Sequence, residues 1–287
     1  MTPRDRWTGA AFMTPALLLF AVFVIIPMLQ AVRFSLFNWN GFGHPEDFVG
    51  LANYAEVLGA PAFRRAVFDI AVLIGAALVI QLPLGLASAL LVGSAFRGVT
   101  VYRLILFLPY VLAQTATGLV FTFLYDGRYG LAGQIARWFG VEPVFVLGDP
   151  NLALPAVVGV MIWKYFGFGM MIFVAGLQSL DGSLIEAARI DGAKRWQVLR
   201  YITLPHLKPV IGLVAFFGVL TALQLFDLVM SLTGGGPNDA TQTLVSYLYN
   251  HGLSRLRVGY GSAVGVILFV TCLAVTLILN ARKSRHG

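Results

Sequence analysis

Long apolar runs alternate with short polar segments along the whole chain. Six runs approach or exceed the roughly 20 residues that a helix needs to cross a bilayer. They lie near 10–32, 66–92, 101–125, 153–178, 206–232 and 260–281. Hydrophobic residues make up 58% of the 287 residues and charged residues 11%, against about 25% charged in soluble domains. The pattern predicts an all-α integral membrane protein, with residues 1–287 forming a single domain of six transmembrane helices.

The distribution of charge predicts the orientation of these spans, because cytoplasmic loops carry an excess of Lys and Arg. One set of loops and ends carries four acids and twelve cations, namely Arg4, Arg6, Arg97, Arg103, Arg189, Lys194, Arg195, Arg200, Lys208, Arg282, Lys283 and Arg285. The opposite loops balance seven cations with seven acids. We therefore expect the first set, and with it both termini, to lie in the cytosol.

The segment 183–205 is a polar, amphipathic island between the fourth and fifth runs. Ser183-x-x-Glu186 has the form of a capping box, which predicts the start of a helix. Asp191-Gly192 predicts a turn, and a second short helix is expected from Ala193 to Tyr201 before Pro205. The segment is either an ordinary amphipathic loop or, as we favour, a surface offered to a soluble partner.

Three parts of this segment resemble the EAA motif of the membrane subunits of bacterial ABC importers: Glu186-Ala187-Ala188, Asp191-Gly192-Ala193 and Ile202-x-Leu204-Pro205. In that family the segment is the coupling helix, which docks into a groove on a cytoplasmic ATPase. The resemblance therefore implies that six residues couple this chain to an ATPase: Glu186, Ala187, Ala188, Asp191, Gly192 and Ala193.

Two further segments narrow the resemblance to carbohydrate-uptake permeases, similar to the maltose and glycerol-3-phosphate permeases. One is the turn from Leu232 to Pro237, LTGGGP, and the other is Tyr102-Arg103 followed by Pro109-Tyr110. The resemblance implies a permease subunit in the bacterial cytoplasmic (inner) membrane, forming half of the pathway of an ATP-driven, binding-protein-dependent importer for a carbohydrate or polyol. It implies three protein partners: a second, homologous permease, a cytoplasmic ATPase dimer that holds the ATP and Mg²⁺, and an extracytoplasmic solute-binding protein.

Ionisable side chains inside a span are energetically costly and indicate function. Lys164 and Asp227 are such residues, and the sequence leaves open whether Lys164 contacts the solute or pairs with Asp227. Gln224 adds an amide at similar depth, and Tyr110 and Gln114 are expected on one helix face, being four residues apart. The resemblance implies solute contacts at Tyr110, Gln114, Met161, Lys164, Tyr165, Gly218 and Ala222.

The sequence contains no phosphate-binding loop of the form G-x-x-x-x-G-K-[ST] and no H-E-x-x-H motif. With Cys272 as its only cysteine, it can form no internal disulfide. We therefore expect a transport subunit that is not itself an enzyme, needs no cofactor or metal of its own and does not bind nucleic acid. The alternative from another class is a self-sufficient secondary transporter, driven by an ion gradient through Lys164 and Asp227.

Overall fold

A computed structural model describes the backbone of residues 3–93, 97–142 and 144–284, and the side chains of 12–93, 97–142 and 144–277. Arg285 and the side chains of Arg4, Arg6, Arg282 and Lys283, all used in the orientation argument, lie outside these ranges. The described part is all-helical, as predicted, and contains no strand beyond one isolated bridge between Phe37 and Phe48.

The helices are α1 Phe12–Phe34, α2 Ala52–Gly59, α3 Pro61–Val92, α4 Val99–Val111, α5 Gln114–Leu124, α6 Leu131–Trp138, α7 Ala153–Gln178, α8 Gly182–Ile190, α9 Arg195–His206, α10 Lys208–Leu223, α11 Asp227–Leu232, α12 Leu244–Tyr247 and α13 Val258–Ser284.

Four helices are long and apolar enough to cross a membrane: α1, α3, α7 and the part of α13 up to Leu277. Two bent pairs raise the number to six if each pair is one span: α4 with α5, at 95°, and α9 with α10, at 65°. The bounds of α7 match the predicted fourth span, whereas α3 begins at Pro61, earlier than the predicted residue 66. The six-span count itself stays a prediction.

The chain divides into two compact units, and the larger comprises Arg64–Ser246 with Cys272–Gly287. At its centre α7 packs against α3 and α4. Gly167 permits the second contact, because a β-carbon there would collide with the carbonyl of Leu106 in α4. Buried apolar side chains of α7 and α11, among them Val157, Val160 and Leu228, form the core. Small residues at such crossings bring membrane helices into close contact.

Asp69 in α3 is a fully buried carboxylate inside the second predicted span. Arg65, one helical turn earlier, donates from Nε to Asp69 Oδ1 at 3.0 Å. The ion pair through Oδ1 lowers the cost of burying the charge, although the buried Oδ2 accepts no hydrogen bond among the described residues. Asp69 is therefore a structural residue of the larger unit, held by its own helix.

The smaller unit comprises Met1–Phe63 and Tyr247–Thr271. Asn53 in α2 donates its amide to the carbonyls of Ser35 and Phe37, both at 2.9 Å. Arg257 forms an ion pair of 2.6 Å with Glu56. These long-range polar contacts fix the chain between α1 and α2 to the beginning of α13.

Candidate functional site

The predicted coupling segment is two short helices joined by a tight turn, but its first helix begins earlier than the sequence indicated. The N-cap of α8 is Asp181, whose Oδ1 accepts the backbone N–H of Ser183 at 2.9 Å. The predicted capping box of Ser183 and Glu186 is therefore wrong. The same hydrogen bond stabilises the carboxylate and holds the pKa of Asp181 below its ordinary value.

The turn after α8 is a Schellman motif, which explains the small residues of the EAA sequence. Gly192 adopts φ +83°, its N–H donates to the carbonyl of Arg189 at 3.1 Å, and the Ala193 N–H donates to Ala188 at 2.9 Å. These are the two hydrogen bonds by which a glycine at C′ ends a helix. The predicted turn is thus confirmed, and Ala188 and Ala193 meet across it, both half-buried.

The second helix of the segment begins at Arg195 and continues to His206, so the predicted bounds of Ala193 to Tyr201 are wrong at both ends. The backbone N–H of Lys194 donates to the side-chain oxygen of Gln197 at 2.7 Å and fixes the start. The carboxyl end passes into a π-helical turn, Leu199–Thr203. Pro205 therefore lies within the final turn and does not end the helix before it.

The two ends of the segment are held together where it joins the longer helices. Ser179 Oγ, just after α7, lies 3.1 Å from Nε2 of His206 at the end of α9. Leu207, at the bend between α9 and α10, is fully buried, and only the absence of a β-carbon at Gly176 leaves room for its side chain. The segment therefore projects from the helix bundle, and its two ends are fixed beside each other at the base.

The outward surface of the predicted coupling segment carries groups that have no partner within the described part of the chain. Glu186 and Ala187 are exposed, and no ion pair or hydrogen bond is formed by the Glu186 carboxylate there. Ile190 is 87% exposed, and Trp196 and Tyr201 are also exposed. Exposed apolar side chains together with an unpaired carboxylate are typical of a protein-binding surface.

A cavity of about 990 Å³ separates the inward side of the segment from the ends of α3 and α7. Its apolar lining includes Leu90, Leu177 and Ile185, and Arg189 and Lys194 contribute cations. The segment is thus anchored at its two ends, and a cavity lies between part of its inward side and the bundle.

The third predicted span is broken, and this changes the geometry of the predicted solute site. Leu112 and Ala113 are extended, and the helices on either side meet at 95°. Tyr110 therefore lies in the last turn of α4 and Gln114 is the first residue of α5. The expectation that they share one helix face is wrong.

Lys164 in α7 is the residue that holds this break. Its side chain is 2% exposed, and Nζ donates to the carbonyls of Pro109, at 3.2 Å, and of Leu112. These carbonyls belong to the end of α4, where no following helical turn supplies N–H groups. No ion pair joins Lys164 to Asp227 among the residues described. From the sequence, either a solute or Asp227 was the expected partner of Lys164. In the structure, its partners are instead backbone carbonyls at the end of α4.

A second break separates α10 from α11, at residues 224–226, inside the fifth predicted span. Thr243 is fully buried and donates from Oγ1 to the carbonyl of Leu225 at 2.7 Å. Thr243 follows the glycine-rich turn, in which Thr233 and Thr241 hydroxyls lie 2.7 Å apart. The segment after this turn therefore folds back into the bundle and satisfies the backbone at the break.

The predicted solute contacts separate into three groups by burial. Met161, Lys164, Tyr165, Gly218 and Ala222 are buried between helices, Tyr110 and Gln114 are half-buried, and Gln224 and Asp227 are exposed. Tyr110 stacks on Phe168, with ring centroids 4.7 Å apart. In this conformation only Tyr110, Gln114, Gln224 and Asp227 present surface to a solute, and each lies next to one of the two breaks.

Sequence reasoning missed the roles of Thr243 and Asp181. Thr243 lies in the stretch that resembles the sugar permeases, but a threonine beyond a turn gives no sign that it reaches a distant carbonyl. Asp181 could have been identified, because Asp is as strong an N-cap as Ser.

The apolar helices and the exposed helix–turn–helix segment are those of an integral membrane transport subunit. Residues 81–285 match the family described as binding-protein-dependent transport system inner membrane component, and the chain belongs to it. The family predicted from the sequence is thus confirmed, and the chain is a permease subunit, not an enzyme. The alternative of a self-sufficient secondary transporter is thereby set aside.

Two relatives align with nearly the whole chain. The sulfoquinovosyl glycerol transport system permease protein SmoG of Agrobacterium fabrum is 33% identical, over 96% of this chain and 89% of its own length. The trehalose/maltose transport system permease protein MalF of Thermococcus litoralis is also 33% identical, over 96% of this chain and 93% of its own.

The fold is also similar to a chain in the crystal structure of a bacterial ABC transporter involved in the import of the acidic polysaccharide alginate. The TM-score is 0.84 and the identity 25%, with 99% of this chain and 97% of the other covered. A second structure of that transporter is in complex with an alginate pentasaccharide-bound periplasmic protein.

Proposed function

We propose that this chain forms half of the pathway of an ATP-driven importer for a carbohydrate or polyol, and that its outward segment, α8 to α9, couples it to a cytoplasmic ATPase dimer. A second, homologous permease supplies the other half, and an extracytoplasmic binding protein delivers the solute. ATP and Mg²⁺ are bound by the ATPase and not by this chain. Both termini lie in the cytosol.

One observation carries the coupling role: a helix–turn–helix fixed at its base presents an unpaired carboxylate and exposed apolar side chains. Glu186 carries an unpaired negative charge on this surface, and a cationic groove on an ATPase would complement it. The close turn at Gly192 sets the angle between the two helices, so the ATPase meets a preformed surface. The sugar named for MalF and the polysaccharide named for the structural neighbour support the solute class.

The coupling role is tested in proteoliposomes that hold the assembled importer. Glu186→Lys reverses the unpaired charge on this surface, and we expect normal membrane insertion but loss of ATP hydrolysis stimulated by the solute-loaded binding protein. Glu142→Lys, at an exposed site far along the chain, is the charge-matched control. Stimulation that survives Glu186→Lys would refute the docking role.

The orientation is tested separately by labelling single cysteines in intact cells, in a Cys272→Ser background. Ala187→Cys and Lys283→Cys should react only with reagents that enter the cytosol, and Asp239→Cys with reagents confined to the outside. Reaction of Ala187→Cys from outside would contradict both the six-span topology and the contact with the ATPase.

A further inference from the structure

Two ionisable residues lie among the predicted pathway residues, and they differ in exposure: one is buried and the other is exposed. Lys164 lies inside α7, and Asp227 begins α11. A solute in the pathway meets only a charge that reaches the surface. Which of the two does so therefore determines the charge of the solutes that this subunit accepts.

The ammonium of Lys164 is withdrawn from the pathway. It is 2% exposed, and its two hydrogen bonds go to the carbonyls of Pro109 and Leu112. Turning toward a solute would leave both carbonyls and a buried cation without partners, which is the costliest outcome for polar groups in a membrane. Lys164 therefore positions the break between α4 and α5 and offers no charge to an anion.

The carboxylate of Asp227, by contrast, is exposed. It takes part in no ion pair or hydrogen bond within the described ranges, and the exposed amide of Gln224 lies on the other side of the same break. The hydrogen bond from Thr243 to Leu225, at 2.7 Å, holds the backbone between them. The position of this negative charge is thus set by the fold.

Another of the predicted pathway residues carries a buried hydroxyl that forms no hydrogen bond among the described residues. Tyr165 is 7% exposed, and its hydroxyl is buried and makes no hydrogen bond. Its ring lies 6.1 Å from that of Tyr110, and Asp227 is within electrostatic reach of its hydroxyl. Buried hydroxyls are normally satisfied. The exposed carboxylate of Asp227 is the group here that accepts hydrogen bonds from a hydroxyl-rich solute, whereas the phenol of Tyr165 is buried in this conformation.

From this arrangement, and resting on the proposed function, we infer that the solute is an uncharged sugar or polyol and that acidic sugars are excluded. The relatives differ in this respect: sulfoquinovosyl glycerol and alginate name acidic solutes, whereas trehalose and maltose are neutral. In this chain, the withdrawn Lys164 and the exposed Asp227 favour a neutral solute. A like charge opposite Asp227 would be repelled in a site of low dielectric constant.

The test uses the assembled importer in nanodiscs, without the binding protein, so that the pathway itself is probed. A neutral panel of maltose, trehalose, raffinose, diacetylchitobiose, glycerol and sorbitol is compared with glucuronate-terminated disaccharides, alginate oligosaccharides and sn-glycerol 3-phosphate. Binding is read by saturation-transfer NMR at millimolar solute, and solute-stimulated ATP hydrolysis is measured with the binding protein restored. We expect at least one neutral solute to bind, at least about tenfold more tightly than its acidic analogue.

Two substitutions separate the roles of the charges. Asp227→Asn should raise the affinity for acidic analogues relative to neutral solutes by about tenfold, whereas the control Glu142→Gln should not change this ratio. Lys164→Met should weaken both classes alike, because it disturbs the break. Preferential binding of an acidic solute, or a selective loss of acidic solutes in Lys164→Met, would overturn the inference. If no solute of either class binds or stimulates hydrolysis, the proposed function fails and the inference falls with it.

Discussion

The turn at Gly192 permits a prediction whose magnitude can be worked out from the backbone. Its φ is +83°, and a β-carbon at this position would have no atom within 4 Å. A substitution there meets no steric obstacle, so its whole effect is the cost of the left-handed conformation, roughly 1–2 kcal/mol for an ordinary L-residue. That cost corresponds to a factor of about 5–30 in the population of the correct turn.

Three variants isolate this cost. Gly192→Ala should carry all of it, whereas Gly192→Asn should carry less, because asparagine tolerates the left-handed region at this position of a helix end. Gly182→Ala is the matched control in the same segment, since it is also exposed, has open space around it and does not have a positive φ.

The assay is ATP hydrolysis by the reconstituted importer, with and without solute-loaded binding protein. We expect stimulation to fall several-fold in Gly192→Ala, to fall less in Gly192→Asn and to remain unchanged in Gly182→Ala. Equal activity of Gly192→Ala and the wild type would refute the argument that this turn sets the docking geometry. A loss of equal size in Gly182→Ala would show that any added methyl group disturbs the segment.

Three other predictions concern single contacts. Gly167→Ala should overpack the crossing of α7 and α4 at the carbonyl of Leu106, lowering stability by about 1–3 kcal/mol, measured by thermal unfolding in detergent; an unchanged midpoint would contradict it. Thr243→Val keeps the shape but leaves a carbonyl unsatisfied, at a cost of about 1–3 kcal/mol, and Thr243→Ser should restore the loss; failure of serine to do so would exclude the hydrogen bond as the cause. The pKa of Asp181 is depressed in the folded segment, so its cap is intact at neutral pH and is lost only as the pH falls through that lowered value. The protection factor of the Ser183 amide, which is its intrinsic exchange rate divided by the observed rate, should therefore fall in Asp181→Ala but not in Asp181→Asn. Equal protection factors in the two variants would contradict the cap.

The sequence predicts continuous apolar helices well and interruptions in them poorly. The bounds of α7 follow directly from an unbroken apolar run between polar flanks. The break at Leu112 and Ala113 lies inside an equally apolar run, where composition gives no sign of it. Pro109 is the only local signal, and the broken helix continues for two residues beyond it. The interruption is stable only because Lys164 satisfies the carbonyls it exposes, and that contact joins residues far apart in the chain.

The same reasoning explains why the turn of the predicted coupling segment was predicted better than the geometry of the predicted solute site. Its turn depends on local chemistry, a glycine that can adopt a positive φ and two backbone hydrogen bonds within six residues. Motif and geometry therefore agree at Ala188, Gly192 and Ala193. The solute site depends on tertiary contacts: Met161 and Ala222 occupy positions that resemble solute contacts, yet both are packed in the core.

The break between α4 and α5 and the break between α10 and α11 follow one physical rule. This rule determines which charged side chains of the predicted pathway stay free of backbone partners. Each break exposes carbonyl groups that lipid cannot satisfy, so each requires a donor from another part of the fold. Thr243 supplies a neutral hydroxyl at one break, and Lys164 supplies an ammonium at the other. A lysine used in this way is no longer available to a solute, however deep in the membrane it lies. An ionisable residue in a span thus indicates function only after its backbone partners have been counted, and by that count Asp227, not Lys164, is the candidate for contact with a solute.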